Sequence, residues 1–118
     1  MQLTTLLTFA GTSLLAIAGV QADNYGASCS ATKLQGNNIM SATCASISGS
    51  LVTSSLDLNT CIVNNSGSLA CQQNGNYAAS CTSCYVSGTI LVCTCDGRKS
   101  TINLINCVSN TDGKLTCP

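Results

Sequence analysis

An internal repeat built around cysteines constrains the fold of this chain more than any other feature. Residues 54–71 read SSLDLNTCIVNNSGSLAC, and residues 100–117 read STINLINCVSNTDGKLTC. Seven of the 18 aligned positions are identical, and most of the other differences are mild. A single copy of such a repeat buries too little apolar surface to be stable alone, so we expect the two copies to pack together in one domain.

The repeat extends toward the N-terminus through further cysteines and glycine-containing turns. With its flanking residues, the first copy covers about 23–71 and the second about 81–118, and the polar segment 72–80 links them. The second copy lacks about five residues between Cys95 and Ser100. Short β-branched and aliphatic runs alternate with Gly, Asn and Ser turns, which predicts an all-β domain with brief helical turns.

Each copy closes with a predicted hairpin. The turns are residues 64–67 (NNSG) in the first copy and residues 110–113 (NTDG) in the second. Both end in glycine, which adopts the positive φ that hairpin turns need. We interpret Asn64 and Asn110 first as residues that hold these turns. Asn64-Asn65-Ser66 is also an N-glycosylation sequon.

The first 22 residues, MQLTTLLTFAGTSLLAIAGVQA, carry no charged side chain and have an apolar centre. They predict a secretory signal peptide that is cleaved after Ala22. A membrane anchor is the weaker interpretation, because the apolar run is short and is interrupted by Thr and Gly. The remaining residues, 23–118, have the size of one small domain. All ten cysteines lie in it, and this density is typical of a secreted, disulfide-stabilised protein.

Hairpin geometry and repeat symmetry predict the disulfide pairs. Residues that face each other on antiparallel strands have Cα atoms close enough for a disulfide. The predicted pairs are Cys61–Cys71, Cys107–Cys117, Cys29–Cys44, Cys81–Cys95 and Cys84–Cys93. The last pair needs a β-bulge in the strand that contains Cys84. A crossed set therefore stays open, with the pairs Cys81–Cys93 and Cys84–Cys95. A zinc site formed by these four cysteines is a weaker alternative in a secreted protein.

Charge and residue types exclude several classes of function. Residues 23–118 hold four Asp, no Glu, three Lys and one Arg, so nothing predicts a nucleic-acid or anionic-membrane partner. There is no His, and the Asp residues are dispersed, so no nucleophile is paired with a general base. We therefore expect neither an enzyme nor a cofactor. Asn, Asp, Ser and Thr side chains suit a neutral, hydroxyl-rich ligand such as a sugar.

The repeated pattern of a cysteine pair, then SSLDLN or STINL, then N-x-x-G-x-L resembles the cyanovirin-N homologues, a family of sugar-binding proteins. The resemblance covers nearly all of residues 23–118. It implies a pseudo-symmetric fold in which each repeat lends its closing hairpin to the other lobe, with lobe A at 23–61 plus 107–118 and lobe B at 62–106. It also implies a secreted, fungal-type lectin for mannose-rich glycans, as a monomer or a hairpin-swapped dimer.

The resemblance further implies one sugar site at the end of each lobe. In lobe A the corresponding residues are Asn24, Ser28, Ser46, Asn110, Thr111 and Asp112. In lobe B they are Asn65, Ser66, Asn74, Ser80 and Arg98. Because the second copy is shortened beside its site, we expect lobe A to be the main site. The alternative is a secreted cysteine-rich defence, effector or inhibitor protein on the same scaffold that binds no sugar.

Overall fold

A computed structural model describes residues 22–118, so residues 1–21 of the predicted signal peptide lie outside the described part. The strands are β1 (Ala22–Asn24), β2 (Cys29–Gln35), β3 (Ile39–Ala45), β4 (Leu51–Asp57), β5 (Ile62–Asn65), β6 (Ser68–Cys71), β7 (Cys81–Ser87), β8 (Ile90–Cys95), β9 (Arg98–Asn103), β10 (Ser109–Thr111) and β11 (Lys114–Thr116). Four 3-10 helices connect them: η1 (Tyr25–Ala27), η2 (Leu58–Thr60), η3 (Tyr77–Ala79) and η4 (Leu104–Asn106). The predicted all-β fold is confirmed. None of the helices within residues 22–118 has the length and apolar character that a membrane crossing requires.

Each repeat forms a three-stranded antiparallel sheet followed by a hairpin. The sheets are β2–β3–β4 and β7–β8–β9, and the hairpins are β5–β6 and β10–β11. Each hairpin packs on the sheet of the other repeat: β11 contacts β3 and β4, and β6 contacts β9. Strand β1 also pairs with β10. This exchange confirms the predicted intertwined two-repeat fold and produces an elongated body of 52 × 22 × 21 Å.

Alternation along the strands places one face of each sheet in the core. In β3, Met40, Ala42 and Cys44 are buried, whereas the residues between them are partly exposed. The turns after β4 and β9 follow from one polar residue in each repeat. The Asp57 side chain accepts a hydrogen bond from the Asn59 N–H and so begins η2, and Asn103 caps η4 in the same way.

Two tyrosines are buried in the hydrophobic core, a role that no local sequence pattern predicted. Tyr25 and Tyr77 occupy equivalent positions at the start of η1 and η3, and both are fully buried. The Tyr77 hydroxyl donates a hydrogen bond to the backbone carbonyl of Asn37, and the Tyr25 hydroxyl accepts one from Thr32. Burial raises the pKa of both phenols above the ordinary value, so both stay protonated at neutral pH.

A β-bulge at the same place in each repeat decides three of the disulfides. The register shifts after Ser30 in β2 and after Thr82 in β7, and the bulged residues Ala31 and Ser83 have positive φ. The disulfides are Cys29–Cys44, Cys81–Cys95 and Cys84–Cys93. These predicted pairs are confirmed, and the crossed set is wrong. The zinc interpretation is also wrong, because these sulfur atoms are bonded to one another.

The pairing predicted for the four hairpin cysteines is wrong. The structure joins Cys61 to Cys117 and Cys71 to Cys107. In the first hairpin, Cys71 lies opposite Ile62, so it is one residue out of register with Cys61. Because neighbouring side chains of a strand point to opposite faces, this offset turns the two sulfur atoms away from each other.

The second hairpin has the same offset. Ser109 pairs with Thr116, which places Val108, and not Cys107, opposite Cys117. Each cysteine instead bonds to a cysteine of the other repeat, and all ten cysteines are in disulfides. These two bonds span 56 and 36 residues, so they fix the exchanged hairpins covalently.

Candidate functional site

The buried side chain of Asn110 organises one end of the molecule. Asn110 is only 6% exposed. Its Nδ2 donates to Ser28 Oγ at 2.7 Å and to the Ala45 carbonyl at 2.9 Å, and its Oδ1 accepts from the Gly113 N–H at 2.7 Å. These bonds hold three segments together, residues 24–28, 45–50 and 110–113, which we call the Asn110 surface. Both amide hydrogens are used within the protein, which supports the interpretation that Asn110 holds its turn.

The turn next to Asn110 presents polar groups to solvent. Asp112 is exposed and has φ of 53°, and its Oδ1 accepts a hydrogen bond of 2.9 Å from the Ile47 N–H. Its Oδ2 accepts no hydrogen bond from the part of the chain that the structure describes. Thr111 is half-buried, and its hydroxyl lies 2.9 Å from that of Thr116. Asp112 is therefore the group of this turn with the most unused hydrogen-bonding capacity.

Residues 46–50 form a compact loop beside this turn. The Ser46 N–H donates to the Ser50 carbonyl at 2.8 Å, and the Ser46 hydroxyl lies 2.9 Å from that of Ser48 and accepts from the Ser50 N–H at 3.2 Å. Gly113 of the turn packs against this loop and against Val52. The loop therefore has a defined shape, and Asp112 joins it to the turn.

The N-terminal segment completes the surface. Asn24 is exposed, and its Oδ1 accepts from the Ala27 N–H at 3.1 Å, which caps η1. Asn24 pairs with Ser109 across β1 and β10, one position from Asn110. All six residues predicted for lobe A are therefore brought to one surface, and each of their side chains also makes a hydrogen bond within the protein.

The opposite end has an equivalent set of hydrogen bonds around the side-chain amide of Asn64. We call this set of hydrogen bonds, at either end, the amide frame. Asn64 Nδ2 donates to Ser80 Oγ at 2.9 Å and to Asp96 Oδ2 at 3.2 Å, and its Oδ1 accepts from the Gly67 N–H at 2.7 Å. We call residues 64–67, Ser80 and 96–98 the Asn64 surface. The carboxylate of Asp96 takes the place of the Ala45 carbonyl. Alignment of the two repeats pairs these two positions.

The Asn64 surface gathers only part of the site predicted for lobe B. Asn65 and Ser66 are exposed at the turn, and Arg98 packs against Gly67. Asn74 is not part of this surface. Its N–H donates to the Thr60 carbonyl at 2.9 Å, just before the start of β5, whereas the turn follows the other end of that strand.

A cleft of about 180 Å³ lies beside the cysteines that link the two repeats. Its lining residues are Cys61, Cys71, Gln72, Gln73, Cys117 and Pro118. It borders the Cys61–Cys117 disulfide and lies apart from both turns. Within residues 22–118 no three His, Cys, Asp or Glu side chains are grouped as metal ligands.

Two intertwined repeats, each closed by a hairpin that docks on the other, define a pseudo-symmetric all-β class of protein. Within this class the chain belongs to the CVNH domain family, whose family model matches residues 25–116. The likeness therefore includes both repeats and both end surfaces.

Solved structures of similar proteins include sugar complexes. TbCVNH from T. borchii is 30% identical, with a TM-score of 0.69 over 80% of this chain and 99% of its own. Microvirin, solved with mannobiose, is 25% identical, with a TM-score of 0.59 over 81% of this chain and 99% of its own. A MoCVNH3 variant, solved with (N-GlcNAc)4, is 18% identical, with a TM-score of 0.73 over 81% of this chain and 97% of its own, a likeness of fold alone. No curated protein sequence matches this chain.

Proposed function

We propose that this chain is a secreted carbohydrate-binding protein, not an enzyme, that binds mannose-rich oligosaccharides chiefly at the Asn110 surface. Family membership and the mannobiose complex of microvirin support a sugar ligand. The apolar, uncharged segment 1–22 and the five disulfides support secretion.

One observation carries the choice of the Asn110 surface. Asp112 stands exposed beside a preformed loop and keeps one carboxylate oxygen without a partner among the described residues. A carboxylate accepts hydrogen bonds from two hydroxyls of a sugar ring, and a rigid site loses little entropy when it binds. At the Asn64 surface the equivalent position is Ser66, and the equivalent of the loop is missing. A single shallow site of this kind binds weakly, and larger glycans would bind by occupying several molecules at once.

The test is glycan-array binding by the oxidised protein, followed by titration of mannobiose into ¹⁵N-labelled protein. We expect amide shifts at residues 110–113 and 46–50. Asp112→Ala should weaken binding about ten-fold or more, the effect of losing one hydrogen bond to a charged group. Ser66→Ala, the matched change at the other end, should alter affinity less than two-fold, roughly the scatter of a neutral surface change.

The competing function is a secreted protein of this fold that binds no sugar. An array without bound glycans, together with an absence of shifts at residues 110–113, would favour it. Equal losses in the Asp112→Ala and Ser66→Ala variants would instead contradict the choice of the Asn110 surface.

A further inference from the structure

The first hairpin carries the N-glycosylation sequon Asn64-Asn65-Ser66, a motif that sugar binding at the Asn110 surface does not use. The sequon lies at the end of β5 and in the turn that leads to β6, within the Asn64 surface. N-glycosylation joins a sugar carbon to Nδ2 of the asparagine in place of one of its two hydrogens. Whether Asn64 accepts a glycan therefore depends on the hydrogen bonds that its Nδ2 makes.

Both hydrogens of Asn64 Nδ2 are used in the folded protein. One is donated to Ser80 Oγ at 2.9 Å and the other to Asp96 Oδ2 at 3.2 Å. A C–N bond of about 1.45 Å in either direction would place the sugar carbon well within the contact distance of that oxygen. Rotation of the amide away from both oxygens would break the bond that Oδ1 accepts from the Gly67 N–H. A glycan on Asn64 therefore removes at least one hydrogen bond of the amide frame.

The order of the residues along the chain leaves this nitrogen free during synthesis. Ser80 and Asp96 follow Asn64 by 16 and 32 residues, so the amide frame cannot form until both have been made. At a synthesis rate of about 5–20 residues per second, this delay is roughly 2–6 s. At the other end both partners of Asn110 precede it in the chain, and no sequon is present. The sequon therefore lies at the end of the molecule where the asparagine waits for its partners.

We propose that Asn64 is N-glycosylated only while the chain is unfolded, and that the glycan then prevents the complete amide frame from forming, an inference that rests on the proposed secretion. The donor is a lipid-linked oligosaccharide pyrophosphate of the secretory pathway. The bond from the sugar C1 to the pyrophosphate oxygen breaks, a bond from C1 to Nδ2 forms, and the lipid pyrophosphate and one Nδ2 proton leave. Glycosylation and docking of the first hairpin therefore compete for the same nitrogen atom.

The experiment expresses the full chain in a eukaryotic secretory host and trims each N-linked glycan enzymatically to a single N-acetylglucosamine. Peptide mass spectrometry measures occupancy, and denaturant titration compares the glycosylated and unglycosylated forms of each protein. The matched control is the double variant Ser66→Ala/Asn76→Ser, which removes the sequon, keeps Asn64 and creates a sequon at Asn74. Asn74 is exposed in the polar linker, and serine already adopts the positive φ of Asn76 at two other positions.

A second variant, Asp96→Gly, tests which contact the glycan displaces. It removes one acceptor of Nδ2, and glycine adopts the positive φ of this position. One direction is then open for the sugar, while the bonds of Asn64 to Ser80 and Gly67 are kept.

We expect the glycan on Asn64 to raise the equilibrium constant for unfolding of the wild-type protein about five-fold or more, the effect of one hydrogen-bonding group left without its partner. The glycan on Asn74, and the glycan on Asn64 in Asp96→Gly, should change this constant about two-fold or less, as a neutral surface change does. A reducing agent during expression, which delays the disulfides, should raise occupancy at Asn64 and leave occupancy at Asn74 unchanged.

Equal effects of the glycans on Asn64 and Asn74 on unfolding would overturn the inference and leave the proposed sugar binding standing, which mannobiose titration of the same preparations measures separately. Absence of a glycan on Asn64 under reducing conditions, with Asn74 occupied in the control, would also overturn it. If neither asparagine is glycosylated, the chain does not enter the secretory pathway, and the proposed secretion fails together with the inference.

Discussion

The Asn110 and Asn64 surfaces share an internal frame and differ in what they present to solvent. In both, an asparagine amide donates to a serine hydroxyl outside its own hairpin and accepts from the glycine that ends its turn. The exposed positions differ: Asp112 stands where the other end has Ser66, and residues 46–50 have no equivalent. The hydrogen bonds of the buried amides therefore set a common shape at both ends, and the two ends differ in the exposed residues that this shape presents to solvent.

The largest loss of mannobiose affinity is expected when the loop of the first repeat is shortened to match that of the second. Replacing residues 45–51 by Asp-Gly, the sequence that joins β8 to β9, gives the first repeat the short turn of the second. We expect mannobiose affinity to fall about 100-fold or more, because Asp112 loses its loop and the ligand loses two or more polar contacts. Isothermal titration measures the affinity, and thermal unfolding checks that the fold persists. Retained binding would show that the loop is not what distinguishes the two ends.

The amide frame itself is tested by Asn110→Ala and Asn64→Ala. Asn110→Ala leaves the Gly113 N–H and the Ala45 carbonyl without their partner at a buried site. We expect the free energy of unfolding to fall by about 3 kcal/mol, since each unsatisfied buried group costs 1–3 kcal/mol. Asn64→Ala should cost about 2 kcal/mol, because Asn64 is only half-buried. Denaturant titration measures both, and a larger cost at Asn64 would contradict this ordering.

A disulfide present in one half only gives a third test. Cys84–Cys93 stabilises the second repeat, and the equivalent positions of the first repeat are Thr32 and Ala42. The double variant Cys84→Thr/Cys93→Ala should lower the free energy of unfolding by about 2–3 kcal/mol, the chain-entropy contribution of so short a loop.

The converse variant, Thr32→Cys with Ala42→Cys, should gain up to a similar amount, because Ala42 is buried like Cys93. Denaturant midpoints under non-reducing conditions measure both changes. An unchanged midpoint in the Cys84→Thr/Cys93→Ala protein would mean that the bulge alone holds this half.

The smallest change in the free energy of unfolding is expected for variants of the two buried tyrosines, Tyr25 and Tyr77. Tyr77→Phe removes the donor to the Asn37 carbonyl, and we expect a loss of about 1 kcal/mol. Burial raises the pKa of Tyr77 above the value near 10 of the unfolded chain, so its stabilising contribution is complete below pH 10 and is lost as pH rises beyond it. Tyr77→Phe should therefore reduce the fall in stability between pH 10 and 11, measured by denaturant titration. Tyr25→Phe is the comparison, since its hydroxyl accepts a hydrogen bond from Thr32, whereas the Tyr77 hydroxyl donates one.

Local sequence patterns were sufficient to predict much of the fold. The repeat, the hairpin turns at 64–67 and 110–113 and the need for a bulge beside Cys84 were all predictable, because each depends on residues close in sequence. The hydrogen bonds from the Asn110 amide to Ser28 and to Ala45 were not predictable, because they join residues 82 and 65 positions apart. The position of Asn74 was not predictable either. The resemblance assigned it to the lobe B site, and the structure places its backbone N–H on the Thr60 carbonyl.

The sequence by itself determined that this protein is a repeated all-β unit whose ten cysteines form disulfides, because period-two alternation, turn residues and cysteine density are all properties of short segments. Only the tertiary structure decided which cysteines of the hairpins bond. A shift of one residue in strand register reverses the direction of a side chain, and composition does not specify that shift. The docking of each hairpin on the other repeat specifies it, and so joins Cys61 to Cys117 and Cys71 to Cys107.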